Sequence, residues 1–216
     1  QRPADFSKPP VSDLFARSAG DMSFTQRMAL ANLWLFLGTV EKGMAKIPSA
    51  NAMIRTTTAP TMMTGSAKDN VLAQRAIASV NFRIHPNDTT EDVIAHVKHV
   101  TADIEGLTIE VSEKSIGSNA SPVSPTDNLA YRVLESVASA AGNGAPSAPG
   151  LVIGATDARY ATAITPNVYR FAPAILTPED LSGFHGTNER MSVENMGRLS
   201  KGYAQIILGM DQGTAN

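Results

Sequence analysis

The chain has 216 residues, of which 43% are hydrophobic and 18% are charged, so it is long enough for one large or two small domains with a real core. A net charge of −2 gives no electrostatic basis for binding nucleic acid. The chain contains no cysteine, which excludes disulfides, a thiol nucleophile and cysteine-based zinc sites and leaves the compartment open.

The first part of the chain predicts helices followed by a strand. Apolar residues recur at helical spacing over residues 10–47, with Ser23 as a plausible N-cap and Pro48 as the predicted end of the region. The threonine-rich segment from Ala52 to Ala59 predicts a strand, which Pro60 would close.

The next elements complete a predicted α+β layer. A turn over Gly65–Asn70 precedes an alternating strand from Gln74 to Ile84. Thr89 or Thr90 caps a predicted helix, and Leu107–Val111 alternates as a further strand. The layer spans roughly residues 10–113, and a Ser/Pro/Asn-rich stretch from Ser115 to Thr126 reads as a linker or crossing loop.

The second half of the chain predicts helices that alternate with short apolar strands. Helices are predicted to begin at Thr126 and to run from Ser192 to Met210. Leu151–Ile153 predicts a short buried strand and Val168–Phe171 another. This alternation indicates an α/β class with a parallel sheet, incomplete in these residues because two or three strands rarely make a stable sheet.

Three polar clusters are candidates for chemistry, and each has a structural alternative. Asn70 and Arg83 could bind a carboxylate through an amide and a guanidinium, or be an ordinary turn Asn and a solvated Arg. The loop of Thr156 and Asp157 follows a predicted strand, where α/β sheets place ligands, but either residue could instead cap a helix.

The third cluster runs from His185 to Glu189, and glycines stand close to His185 on both sides. Imidazole is a common metal ligand, yet a catalytic zinc site needs three protein ligands, so a lone His185 could equally be a loop histidine. The other histidines, His85, His96 and His99, are weaker candidates because of their predicted places at a strand end and on the solvent side of a helix.

The order of these motifs along the chain is more specific than any one of them. It reads Thr-Thr-Thr, Lys-Asp-Asn-Val-Leu, Val-Asn-Phe-Arg-Ile-His-Pro, Gly-Ala-Thr-Asp-Ala-Arg, Tyr-Arg-Phe-Ala-Pro and His-Gly-Thr-Asn-Glu. This order resembles the zinc-dependent peptidase and amidohydrolase family of aminoacylase-1, succinyl-diaminopimelate desuccinylase and carnosinase, nearest its carboxypeptidase S and N-acyl-amino-acid hydrolase branch. Ala155 and Ala73 depart from a usual glycine and a usual proline.

The resemblance implies an α/β catalytic domain with a mixed sheet and a two-zinc site, and an inserted ferredoxin-like α+β lid that commonly dimerises. Residues 1–114 would be the lid without its N-terminal part, and residues 115–216 the C-terminal part of the catalytic domain. By the same resemblance, His185 is a zinc ligand. The implied substrate-binding residues are Asn70, Arg83, Thr156 and Asp157. Glu189 is expected to be structural rather than catalytic.

The implied reaction is cleavage of a C-terminal peptide bond or of the amide bond of an N-acyl amino acid. The general-base glutamate and most ligands of the two zinc ions are expected upstream of residue 1, so no catalytic residue is predicted in this chain and the chain alone is expected to be inactive. The expected partners are the N-terminal half of the same enzyme as a separate cleaved chain, a small peptide or N-acyl amino acid as substrate, and a second copy through the lid. The alternative is a non-catalytic α+β dimerisation or binding module derived from the same fold.

Overall fold

A computed structural model describes residues 2–112, 119–184 and 186–214 of the chain. The elements over these residues, in chain order, are α1 Val11–Ser18, a 3-10 turn Ala19–Asp21, α2 Phe24–Ala31, α3 Leu33–Ala45, α4 Pro48–Ile54, β1 Thr57–Thr64, β2 Ile77–Arg83, α5 Thr90–Val100, α6 Leu129–Ala141, α7 Ala158–Ala161, α8 Pro178–Ser182 and α9 Val193–Thr214. None of the helices described is both long and apolar enough to span a bilayer.

The chain divides into two compact units. Described residues of 1–12, 23–122 and 150–155 form the first unit, and those of 13–22, 123–149 and 156–216 form the second. This division follows internal contacts, and the boundary predicted between residues 114 and 115 stays a prediction.

The helices predicted over residues 10–47 are confirmed, with one correction. Ser23 caps α2 through a capping box with Gln26, and the Asn32 side chain, which donates to the Met28 carbonyl at 2.9 Å, marks the break before α3. Pro48 was expected to end the region, but it begins α4 instead. Proline is favoured at the first helical position because no intrahelical partner exists there for an N–H.

The antiparallel hairpin of β1 and β2 is the single sheet in the described residues. The strand predicted over Ala52–Ala59 is displaced, because residues 52–54 belong to α4 and β1 continues to Thr64. Pro60 does not close the strand, since the pairing has a bulge between Pro60 and Met62, and a bulge is a place where proline is tolerated. The predicted second strand is confirmed as β2.

Buried residues near the base of this hairpin form the core of the first unit. Phe6, Val11, Ile54 and Val93 are the buried apolar residues, and Thr56 and His85 are buried polar ones. Val93 lies on α5, whose N-cap is Thr89 in a capping box with Asp92, as one of the two predicted capping residues. The core is therefore partly polar, and its polar members need internal partners.

The second unit is organised by α6 and α9, which pack closely. Asn128 caps α6 by accepting from the Tyr131 N–H at 2.9 Å, so this helix begins three residues after the predicted Thr126. A Cβ at Gly202 of α9 would lie 2.4 Å from Pro173 Cγ and 3.3 Å from Val137 Cγ1. Only a glycine at this position lets α9 lie this close to Pro173 and to Val137 of α6.

Three predicted strands are wrong in the described structure: Leu107–Val111, Leu151–Ile153 and Val168–Phe171 have no strand partners. Val152 and Ile153 are substantially exposed rather than buried. At Val168, the Ser124 hydroxyl accepts from the N–H at 2.9 Å and donates to the carbonyl at 2.9 Å, in place of a neighbouring strand. An isolated strand needs a ladder to satisfy its backbone, and these residues supply none. The helices and small sheet are compatible with the predicted α/β class, while the ferredoxin-like lid and the parallel sheet stay predictions.

Candidate functional site

Asn70 and Arg83 lie at opposite ends of the hairpin. Asn70 is exposed in the loop that follows β1, after a turn in which the Ser66 hydroxyl donates to the Lys68 carbonyl at 2.8 Å. Arg83 is the last residue of β2 and pairs with Thr57. It lies six positions along the chain from Ile77, the loop end of β2, which corresponds to about 20 Å of strand. Within the described residues, no hydrogen bond joins their side chains, and their joint role in binding a carboxylate stays a prediction.

The Thr156 hydroxyl is held in place within the second unit, on an exposed loop. Arg170 Nε donates to Thr156 Oγ1 at 3.1 Å. Asp157 precedes the short helix α7, but its carboxylate makes no capping hydrogen bond, so the helix-cap alternative for Asp157 is not realised. Both side chains are exposed and can meet a ligand.

The segment that carries Arg170 is anchored from the residues before α6. The Tyr169 hydroxyl donates to the Pro125 carbonyl at 2.5 Å and accepts from Asn128 Nδ2 at 2.8 Å. Tyr131 of α6 packs against Tyr169 with ring centroids 5.9 Å apart. These contacts hold the residue directly before Arg170, which the sequence indicates only as part of a motif. Its bond to Thr156 joins residues 14 positions apart, a distance at which no local pattern signals a contact.

His185 lies outside the described residues, but the flanking residues form a tight turn. The Gly186 N–H donates to the Gly183 carbonyl at 2.9 Å, and a Cβ at Gly186 would lie 3.2 Å from that oxygen. Asn188 has φ +66°, a left-handed conformation that asparagine tolerates. A side chain at Gly186 would therefore crowd the Gly183 carbonyl.

Asn195 of α9 is joined by hydrogen bonds to the backbone of Ile175. Asn195 is buried, its Nδ2 donates to the Ile175 carbonyl at 2.7 Å, and its Oδ1 accepts from the Ile175 N–H at 3.0 Å. One amide therefore satisfies both backbone groups of a residue 20 positions away, much as a paired strand would.

A buried polar network surrounds His85, which the sequence indicates only as a weak metal-ligand candidate. Thr56 Oγ1 accepts from the His85 N–H at 2.9 Å and donates to Asp88 Oδ2 at 2.5 Å. Arg2 forms an ion pair with Asp88 at 2.5 Å, and Asn87 Nδ2 donates to Asp5 Oδ2 at 2.8 Å. The partners come from distant parts of the chain, so no local pattern could have revealed them.

Burial is the main influence on the pKa of His85 and lowers it below the ordinary 6.5, although Met53, Asp88 and Asp5 oppose the shift. Burial alone would raise the pKa of Asp88. Hydrogen bonds from Arg2 and Thr56 outweigh this effect, so the pKa of Asp88 lies below its usual value. Near neutral pH, these two shifts favour the uncharged form of His85 and the ionised form of Asp88.

The described residues do not fit a zinc site. Among them, no three histidine or acidic side chains converge as metal ligands would. Both ring nitrogens of His85 are engaged, Nε2 with the Met53 carbonyl at 3.1 Å and Nδ1 with the Asn87 N–H at 3.3 Å. His99 is exposed and His96 half-buried on α5. The part of the chain that the structure describes therefore supplies no set of three metal ligands.

The sequence matches the profile of peptidase family M20/M25/M40 over residues 16–209, and the chain belongs to this family. The resemblance predicted from the order of the motifs is thereby confirmed. No solved structure matches the chain.

Relatives with descriptive names extend this result. The N-fatty-acyl-amino acid synthase/hydrolase PM20D1 of Xenopus tropicalis is 36% identical over 210 residues, covering 97% of this chain and 40% of the relative. The human protein of the same name is 36% identical over 212 residues, covering 97% and 41%. The probable carboxypeptidase S-like 2 of Dictyostelium discoideum is 33% identical over 194 residues, covering 90% and 37%. The chain thus spans about two fifths of the length of these relatives.

Proposed function

We propose that this chain is the C-terminal part of a di-zinc hydrolase that cleaves the amide bond of an N-acyl amino acid or a C-terminal peptide bond. The observation that carries the proposal is family membership over residues 16–209, supported by relatives named as an N-fatty-acyl-amino acid synthase/hydrolase and as a probable carboxypeptidase. An exposed Thr156–Asp157 loop with a fixed hydroxyl suits contact with a polar substrate.

In this proposal His185 supplies one zinc ligand. The described residues provide no set of three ligands, so the remaining ligands and the general-base glutamate belong to the rest of the protein. That remainder, whether continuous with this chain or separate from it, is the first expected partner.

Arg83 is proposed to bind the free carboxylate of the substrate. Its guanidinium can hold a carboxylate with two parallel hydrogen bonds, and its place at the end of β2 leaves it exposed. Asn70 lies beyond the other end of the hairpin, so we infer that it reaches the same carboxylate only from a second subunit. This arrangement makes a homodimer part of the proposal.

The β1–β2 hairpin suits such a homodimer. Met62 and Met63 are largely exposed, and among the described residues each strand pairs only with the other, which leaves two open edges. Open edges and exposed apolar side chains favour pairing with another chain. Light scattering on the complete protein should give the mass of a dimer, and Met63→Lys should shift it toward the monomer. A monomeric wild-type protein would contradict this part of the proposal.

The hydrolase proposal is tested by expressing the complete protein and measuring zinc content and amine release from N-acyl amino acids and dipeptides. Wild type should contain two zinc ions per subunit. His185→Ala should lose zinc and reduce hydrolysis by orders of magnitude, because a two-ligand site binds zinc poorly. His99→Ala, which removes an exposed histidine of α5, is the matched control and should behave as wild type.

Two outcomes decide between the alternatives. Full zinc content and activity in His185→Ala would remove the ligand assignment. A complete protein that binds no zinc after supplementation and hydrolyses neither substrate class would favour the non-catalytic dimerisation or binding module.

A further inference from the structure

We propose that Arg170 is a positioning residue that turns the Thr156 hydroxyl toward an anionic oxygen of the substrate, its free carboxylate. The inference rests on the proposed function for the identity of the ligand. It adds a residue that the order of the motifs did not assign.

A hydrogen bond joins the side chains of Arg170 and Thr156. Arg170 Nε donates to Thr156 Oγ1 at 3.1 Å, so one lone pair of the hydroxyl oxygen is occupied. A hydroxyl carries one donor and two acceptor positions, and an arginine can only donate. The hydroxyl proton must therefore point away from Arg170.

The hydroxyl proton of Thr156 is available to an acceptor outside the described residues. In the described part of the chain, Thr156 Oγ1 makes no hydrogen bond other than the one from Arg170, and the residue is exposed. The hydroxyl is thus a donor at the surface, with its direction set from behind by a cation. A carboxylate oxygen is the matching acceptor because it is anionic and offers several lone pairs.

The residues directly before Arg170 are held by hydrogen bonds. Val168 is held through both of its backbone groups by the Ser124 hydroxyl, and Tyr169 is held by Pro125 and Asn128. Arg170 follows these anchored residues directly. A donor whose support is fixed in advance loses less entropy when a ligand binds.

The test uses binding rather than turnover, so that it does not depend on catalysis. The probe is an N-dodecylsulfonyl amino acid, which keeps the acyl-like tail and the carboxylate but has no hydrolysable amide. Its methyl ester lacks the negative charge. Dissociation constants are measured by calorimetry on the complete protein.

The variants separate the hydrogen bond from the charge. Arg170→Gln keeps an N–H donor at the ε position. Arg170→Met introduces a side chain as long as that of glutamine but without a donor. Thr156→Val should weaken binding of the acid about tenfold to a hundredfold, and Arg170→Met about threefold to tenfold. Arg170→Gln should stay close to wild type, and Arg132→Met, at an exposed arginine of α6, is the control.

The double variant Arg170→Met with Thr156→Val should bind the acid no more weakly than Thr156→Val alone, because Arg170 acts through the hydroxyl. The ester should bind all variants alike. The proposal is overturned if the two losses multiply, if Arg170→Gln fails as Arg170→Met does, or if acid and ester are affected equally. A protein that binds the acid in this pattern but hydrolyses nothing would refute the proposed function and leave this inference standing. A protein that hydrolyses its substrates, but whose variants bind the acid as tightly as wild type, would support the proposed function and refute this inference.

Discussion

Removing the Thr56 hydroxyl should open the polar network of the first unit. Thr56 is fully buried, accepts from the His85 N–H at 2.9 Å and donates to the Asp88 carboxylate at 2.5 Å. Thr56→Val keeps the shape of the side chain and removes both bonds, so the effect is chemical rather than a cavity. The expected result is faster local opening around the start of α5.

The magnitude follows from the two lost partners. A buried N–H left without an acceptor costs about 1–3 kcal/mol, and a lost hydrogen bond to a charged group costs about 1.5–3 kcal/mol. The new methyl group offsets about 0.8 kcal/mol through apolar burial. The ion pair of Asp88 with Arg2 survives and limits the loss. We therefore expect about 3 kcal/mol, or roughly a hundredfold in the opening equilibrium.

Amide hydrogen exchange over residues 84–93 measures this opening directly, because the amides of His85 and Asp88 lie in that segment. Thr64→Val makes the same chemical change at an exposed position of β1 and should alter exchange little. If Thr56→Val exchanged no faster than Thr64→Val, the network would not stabilise this unit and the reasoning would be wrong.

Three further outcomes are expected. Because the pKa of buried His85 lies below 6.5, the unfolded state binds more protons as the pH falls below 6.5. Thermal stability should therefore fall from pH 7 toward pH 5, and His85→Gln should flatten this slope; an unchanged slope would show that another group titrates. Gly202→Ala should lower the free energy of unfolding by about 1–3 kcal/mol through overlap with packed neighbours. Gly197→Ala, with open space around it, should raise the free energy of unfolding by up to about 1 kcal/mol. Equal effects of the two variants in urea unfolding would contradict the close packing at Gly202. Asn195→Leu should cost about 1–3 kcal/mol by removing two hydrogen bonds to the Ile175 backbone, and a melting temperature equal to wild type would show that these two bonds contribute nothing.

The helices were the most predictable part of the fold because their signals are local. The capping boxes at Ser23 and Thr89 and the terminal helix could be read from residues three or four positions apart. Strands were less predictable, since a strand exists only where a neighbour completes its ladder. Val168 shows this, because the hydroxyl of Ser124 takes the place that a strand would occupy.

The candidate site likewise has features that the sequence predicts and features that depend on tertiary contacts. The sequence alone determined the family, because the order of Asn70, Arg83, Thr156 and His185 with their neighbours is specific even when each motif is weak. Only the tertiary structure decided which of these side chains meet: it separated Asn70 from Arg83 along a strand, joined Arg170 to Thr156, and buried His85 among partners far away in the chain. The physical reason is that a residue's type limits what it can bind, whereas its partners depend on how distant segments of the backbone pack together.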